Sequence, residues 1–174
     1  MDSGANCGEV LIPPRYADVK GTLIFLAGPI MRAWNWQDTA TRLLLRSNPE
    51  LHIANPRRPI FTDDDFQEAM FIEQLDWEHH YLKRAGQNGV VMFWLAKEGT
   101  HRCDRAYAQT TRFELGEASA KHFSEGIKVV VGVEEGFTGS QYIIRTLIKK
   151  YPKIPVIIDD LAQTCAAALR CATS

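Results

Sequence analysis

The 174-residue sequence predicts an α/β fold: a doubly wound sheet of five parallel strands with helices on both faces. Three observations predict it. Apolar runs recur at 22–27, 52–54, 89–95, 127–133 and 154–158. The clearest of them, Thr-Leu-Ile-Phe-Leu-Ala before Gly28-Pro29 and Gly-Val-Val-Met-Phe-Trp-Leu from Gly89, are continuous rather than alternating, as strands buried on both faces are. Segments with helical spacing lie between the runs, which favours parallel strands joined by crossover helices.

Bulk composition is that of a soluble globular protein, 45% hydrophobic and 24% charged. This length suits one domain, 22–174, preceded by an N-terminal arm, 1–21. The net charge is −1, without a Lys/Arg stripe, so no nucleic-acid polymer is expected as a partner. A small anionic ligand needs only a few local arginines. Cys7, Cys103, Cys165 and Cys171 are scattered and form no Cys-x-x-Cys, which reads as free thiols in a reducing compartment. No signal-peptide pattern is present, and no apolar run approaches the roughly 20 residues of a membrane span, so a cytoplasmic protein is expected.

The elements follow in order. Val10-Leu11-Ile12 before Pro13-Pro14 reads as a short edge strand, or as part of an arm that packs on a neighbour, because proline cannot donate within a sheet. After 22–27, Gly28 lets backbone approach a ligand at the strand's carboxyl end. Residues 36–46 read as a helix with Ala40, Leu43 and Leu44 inward. Beyond 52–54 lies Asn55-Pro56-Arg57-Arg58-Pro59. Its paired arginines could bind phosphate or carboxylate, or be a solvated loop.

Residues 63–84 form the longest helical segment. Asp63, Asp64 and Asp65 suit its positive end. Phe71, Leu75, Glu78 and Leu82 share one stripe, which places a carboxylate on an apolar face and favours its protonated form near neutrality. An edge residue bending out to water is the alternative. Asp76 reads as solvated. His79 and His80 are adjacent, point about 100° apart and cannot readily share a metal. His-Glu-x-x-His is absent, and neither metal nor cofactor is expected.

After 89–95 comes a polar loop, 96–109, of the length found in lids and binding loops. It leads into the helix of Gln109-Thr-Thr-Arg-Phe-Glu-Leu-Gly-Glu-Ala-Ser-Ala-Lys121, with Glu114 expected in its first turn and Gly116 clearing space beside it. Two readings stand here. Thr111 and Glu114 form a capping box, or Glu114 is a carboxylate at the mouth of a site, able to attack an electrophile. A strand at 127–133, a turn at 136–139, a helix at 140–151 faced by Ile143, Ile144, Leu147 and Ile148, a strand at 154–158 and a terminal helix from Asp159 or Asp160 complete the chain. Five such strands suit the flavodoxin-like (Rossmann-like) order 2-1-3-4-5, whose ligand crevice lies at the carboxyl ends of strands one and three. Gly28, Asn55, Arg57 and Glu114 converge there, which favours the reactive reading of Glu114.

Several stretches in this order resemble the nucleoside 2-deoxyribosyltransferase-like family. They are Ile-Phe-Leu-Ala-Gly-Pro-Ile at 24–30 with Trp36-Gln37, Asn55-Pro56-Arg57-Arg58, Gln74-Leu-Asp-Trp77-Glu78, Met92-Phe93-Trp94-Leu95 and Glu114-Leu115-Gly116-Glu117-Ala118. The resemblance implies Glu114 as nucleophile, Glu78 as the helix carboxylate that handles the base, and Gly28 and Pro29 beside the sugar. It also implies a homodimer or higher oligomer. The chain departs from the family pattern at Phe25, where many members have a tyrosine, and at Gln87-Asn88-Gly89, where many have an aspartate. The loop at 96–110 is longer.

The chemistry so implied is N-glycosidic cleavage of a 2′-deoxyribonucleoside by two carboxylates, as in retaining sugar hydrolysis. Trp36, Trp77 and Trp94 could stack on a base or fill the core. Arg57 or Arg112 could bind a 5′-phosphate, and Tyr107 could supply the hydroxyl that Phe25 lacks. Three functions remain open: deoxyribosyl transfer to a second free nucleobase, hydrolysis of a nucleoside or nucleotide, and a nucleotide-binding module without chemistry.

Overall fold

The computed structural model describes residues 7–59 and 68–174. The acidic stretch Asp63–Asp65 lies outside them. A parallel sheet is flanked by five helices, consistent with a flavodoxin-like fold. In chain order the elements are β1 (Val10–Leu11), β2 (Leu23–Ala27), α1 (Trp36–Ser47), β3 (His52–Ala54), α2 (Glu68–Gln87), β4 (Gly89–Leu95), α3 (Gln109–Glu125), β5 (Val129–Val133), α4 (Ser140–Lys150), β6 (Val156–Ile158) and α5 (Leu161–Thr173).

The sheet has six strands rather than the expected five, in the order β1-β3-β2-β4-β5-β6 rather than 2-1-3-4-5. The difference is β1, which adds to the free edge of β3 with Val10 opposite Ile53 and Leu11 opposite Ala54. Pro13 and Pro14 end it after two paired residues, and β1 has no second neighbour that would need their missing N–H groups.

β2 and β4 form the centre. Five register pairs join them, from Leu23–Gly89 to Ala27–Phe93, and every residue of both strands is buried. Their side chains alternate between two cores. Leu23, Phe25, Ala27 and Phe93 pack beneath α2 and α3 with Trp77, Tyr81 and Leu115. Ile24, Leu26, Met92 and Trp94 pack beneath α1 and α5 with Trp36, Leu44, Cys165 and Ala168. Burial on both faces is why these strands read as unbroken apolar runs.

The buried face of α2 is Gln74, Trp77, Tyr81 and Ala85, one residue out of phase with the expected stripe. Trp77 and Tyr81 turn inward because their polar tips find partners: Trp77 Nε1 donates to the Arg15 carbonyl at 2.7 Å, and the Tyr81 hydroxyl accepts from Ala17 N at 2.9 Å. Phe71 is exposed, and Leu75, Glu78 and Leu82 run along the boundary. Asp76 is exposed. Among the described residues no helix is long and apolar enough to cross a membrane.

Candidate active site

α3 begins at Gln109, behind Ala108 in the left-handed region (φ 57°, ψ 36°), and no side chain caps it. Thr111 is its third residue and is buried, and Glu114 its sixth. The capping box is therefore absent. Ala108 turns the chain with its own backbone, and its carbonyl accepts from Arg112 N at 3.0 Å, so the Thr-x-x-Glu pattern sits inside the helix. Gly116 is exposed, with nothing among the described residues within 4 Å of where a Cβ would stand, so it clears no space beside Glu114.

The carboxyl end of β2 and the loops beyond β3 and β4 open on a cavity of about 480 Å³, within the roughly 300–1,000 Å³ usual for small-molecule sites. Phe25, Gly28 and Pro29 form its floor, Gln74 and Glu78 of α2 one wall, and Glu114 of α3 the other. Arg32, Arg102 and Arg105 lie at its rim. Gly28 is required by close approach: a Cβ there would stand 2.3 Å from the Trp94 carbonyl oxygen and 2.6 Å from Trp36 Cζ2. Pro29 presents its carbonyl to Trp36 Nε1 at 3.0 Å, which sets the turn into the cavity.

Both carboxyl groups are pushed toward their neutral forms. Burial raises Glu114 to about 8, and the nearby charges of Glu78 and Glu117 add to it. Burial also raises Glu78, but Gln74 Nε2 donates to its Oε1 at 2.8 Å and works the other way. Glu114 accepts no hydrogen bond among the described residues, since Phe25 stands on the strand below it without a hydroxyl. Near neutrality Glu114 is therefore pushed to its protonated form, whereas on Glu78 the Gln74 hydrogen bond opposes the effect of burial.

The other expected site residues are placed differently. Asn55 is buried and turns inward, its Oδ1 accepting from Arg57 N at 2.9 Å. Arg57 does not line the cavity. Its guanidinium donates to the carbonyls of Ile30, Ala33 and Trp34 and to Gln37 Oε1, and so knits together the loop after β2. Arg112 donates to the Thr138 and Tyr107 carbonyls and lies over the Phe137 ring. Trp77 is fully buried against Phe25 and Tyr81, and Trp36 and Trp94 are core residues, so none offers a face to the cavity. The Tyr107 hydroxyl donates to the Ala96 carbonyl at 2.8 Å rather than reaching Glu114.

Three residues at the site are given no role by the motifs. Gln74 could have been found from its position four residues before Glu78, on the same helix face. Arg32 pins the 96–108 loop: it pairs with Glu98 at 2.6 Å, donates to the Ala106 carbonyl and lies over the Tyr107 ring. Its backbone carbonyl also accepts from Gly99 N at 2.7 Å. The loop is therefore fastened at several points. Arg105 is exposed at the rim and makes no hydrogen bond among the described residues.

Fold and site together define an α/β protein with a two-carboxylate crevice at its strand ends. A family model described as nucleoside 2-deoxyribosyltransferase like matches residues 21–137, well over half of the chain, and the protein belongs to that family. The match takes in β2 through β5, and with them Gly28, Glu78 and Glu114. No curated protein matches the chain.

Proposed function

We propose that the protein cleaves the N-glycosidic bond of 2′-deoxyribonucleosides and transfers the deoxyribosyl group to a second nucleobase. The observation that carries this is the pair of half-buried carboxyl groups, Glu78 and Glu114, on opposite walls of one nucleoside-sized cavity. Glu114 is the nucleophile at the anomeric carbon, and Glu78 delivers the proton to the departing base. Gly28 and Pro29 lie against the sugar. Attack passes through an oxocarbenium-like transition state to a glycosyl ester of Glu114, which an acceptor base resolves.

A second reading is favoured by Arg105, an exposed cation at the cavity rim, near Asp104, that makes no hydrogen bond among the described residues. It suits a 5′-phosphate, and therefore hydrolysis or transfer on a 2′-deoxynucleoside 5′-monophosphate. The exposed side chains of Phe71 and Ile72 on α2 and Phe113 on α3 suit burial against further copies of the chain in a cytoplasmic homo-oligomer. Light scattering checks that assembly. The activity is tested with a panel of 2′-deoxynucleosides and their 5′-monophosphates, each with and without a second free base. A new nucleoside that forms only with the second base establishes transfer, and free base alone establishes hydrolysis. No turnover of any member refutes both readings in favour of a binding module.

A further inference from the structure

Gln74 is buried, and every polar group of its amide is engaged. Nε2 donates to the Pro56 carbonyl and to Glu78 Oε1, both at 2.8 Å, and Oε1 accepts from Arg58 Nε at 2.9 Å. These three contacts fix the direction of the amide. Reversed, it would set its carbonyl oxygen against two acceptors and its NH2 against the Arg58 N–H. Glu78 Oε1 is therefore an acceptor. Arg58, paired with Glu73 at 2.6 Å, polarises the amide that donates to it. Glu114, on the opposite wall, has no donor among the described residues.

The other charged groups around the cavity do not disturb this asymmetry. Arg32 is paired with Glu98, and Arg102 with Asp104. Arg105 is exposed at the rim, and Glu117 lies on the Glu114 side. His79 and His80 point outward from α2, where His80 meets Tyr16.

We infer that Gln74 is the positioning residue that decides which carboxyl carries the site's proton: anchored on Pro56 and backed by Arg58, it holds Glu78 ionised and leaves the proton on Glu114 until substrate binds. This rests on the two-carboxylate function proposed above. It requires a proton step before bond cleavage. Glu114 passes its proton to Glu78 Oε2, the oxygen that Gln74 does not touch. The freed Glu114 carboxylate then attacks the anomeric carbon. The electron pair of the breaking C–N bond goes to the base nitrogen, which takes the proton from Glu78. Protons and charge balance: an ionised Glu78 and a protonated Glu114 become an ionised Glu78, a neutral free base and a neutral glycosyl ester.

The test is a carbon-13 NMR titration of the glutamate side-chain carboxyls in the full-length, substrate-free protein and in Gln74→Met, with signals assigned through Glu78→Gln and Glu114→Gln. In the native protein Glu78 is expected to lose its proton before Glu114. In Gln74→Met the Glu78 midpoint is expected to rise by about one pH unit, the size of a lost hydrogen bond to a charged group. A folded Gln74→Met with an unmoved Glu78 midpoint overturns the inference, as does a native Glu114 that ionises first. Arg58→Leu reads the same relay should Gln74→Met fail to fold: a smaller upward movement is expected, and none overturns it. In turnover, the acid limb of the pH profile moves up with Gln74→Met, whereas a uniform loss at every pH would show a structural role and contradict the claim. The titration needs no turnover. A shifted Glu78 midpoint in a protein inactive on the whole panel would therefore refute the proposed function and leave the proton assignment standing.

Discussion

α2 and α3 each bring one half-buried carboxyl to the same cavity, and they treat it differently. On α2, Glu78 is held by Gln74, which is held in turn by Arg58 and Pro56. Around it Trp77 and Tyr81 satisfy their polar tips and fill the core. On α3, among the described residues, Glu114 has no donor, the helix has no side-chain cap, and nothing stands beside Gly116. One wall is a finished piece of structure and the other carries an uncompensated group. An acid buried without a partner costs stability, and such sites are where chemistry tends to be found.

The largest effect expected from breaking this contrast is on Glu114. Glu114→Gln is expected to reduce turnover by about 10⁴-fold or more, as loss of a nucleophile does, with substrate binding retained in a direct binding assay. Glu78→Gln comes next, with a loss of about 10²–10⁴-fold for a missing general acid. It also removes a like charge, so the Glu114 midpoint, about 8 in the native protein, is expected to fall in an NMR titration.

Stability sharpens the comparison. The folded-state pKa of Glu114 is raised from 4.5 to about 8, so between those values the folded chain binds a proton that the unfolded chain has lost. Its contribution is fully present below 4.5 and is lost as pH rises through 8. Replacing Glu114 with Gln removes that dependence and is expected to raise stability at pH 8.5 by a few kcal/mol, or roughly 5–10 °C in Tm. The gain at pH 5 is expected to be much smaller. Differential scanning calorimetry at the two pH values checks this.

Smaller effects follow away from the carboxyls. Arg57→Met leaves the carbonyls of Ile30, Ala33 and Trp34 without their shared donor and is expected to cost on the order of 2–3 kcal/mol in chemical denaturation. It should not alter the preference between nucleosides and their monophosphates, because Arg57 does not line the cavity. Gly116→Ala is expected to stabilise the chain by about 0.5–1 kcal/mol, since the helix gains a better former and the new methyl meets nothing. A loss would mean that the outer face of α3 is covered.

The central strands were legible because burial on both faces leaves no polar positions in them. The edge strand at Val10–Leu11 was legible from its prolines, although not its place in the sheet count. The phase of α2 was not legible, because hydropathy spacing cannot foresee that Trp77 and Tyr81 would find backbone partners at Arg15 and Ala17. Glu78 and Glu114 could be picked out by motif, but the hydrogen bond that Gln74 donates to Glu78, and the lack of any such donor to Glu114 among the described residues, could not. Arg57 and Arg112 misled for a related reason. The carbonyls that hold them lie 23 to 27 residues away from Arg57 and, for the Thr138 carbonyl, 26 from Arg112, and no local pattern marks them.

Mass spectrometry of a rapidly quenched reaction would test the central claim most directly, with the preferred 2′-deoxynucleoside as substrate and peptides spanning 109–121 as the readout. A 2-deoxyribosyl adduct on Glu114, formed without an acceptor base, discharged when one is added and absent from Glu114→Gln, is the result expected. Normal turnover by Glu114→Gln, or turnover with no adduct on this peptide at any quench time, would contradict Glu114 as the nucleophile.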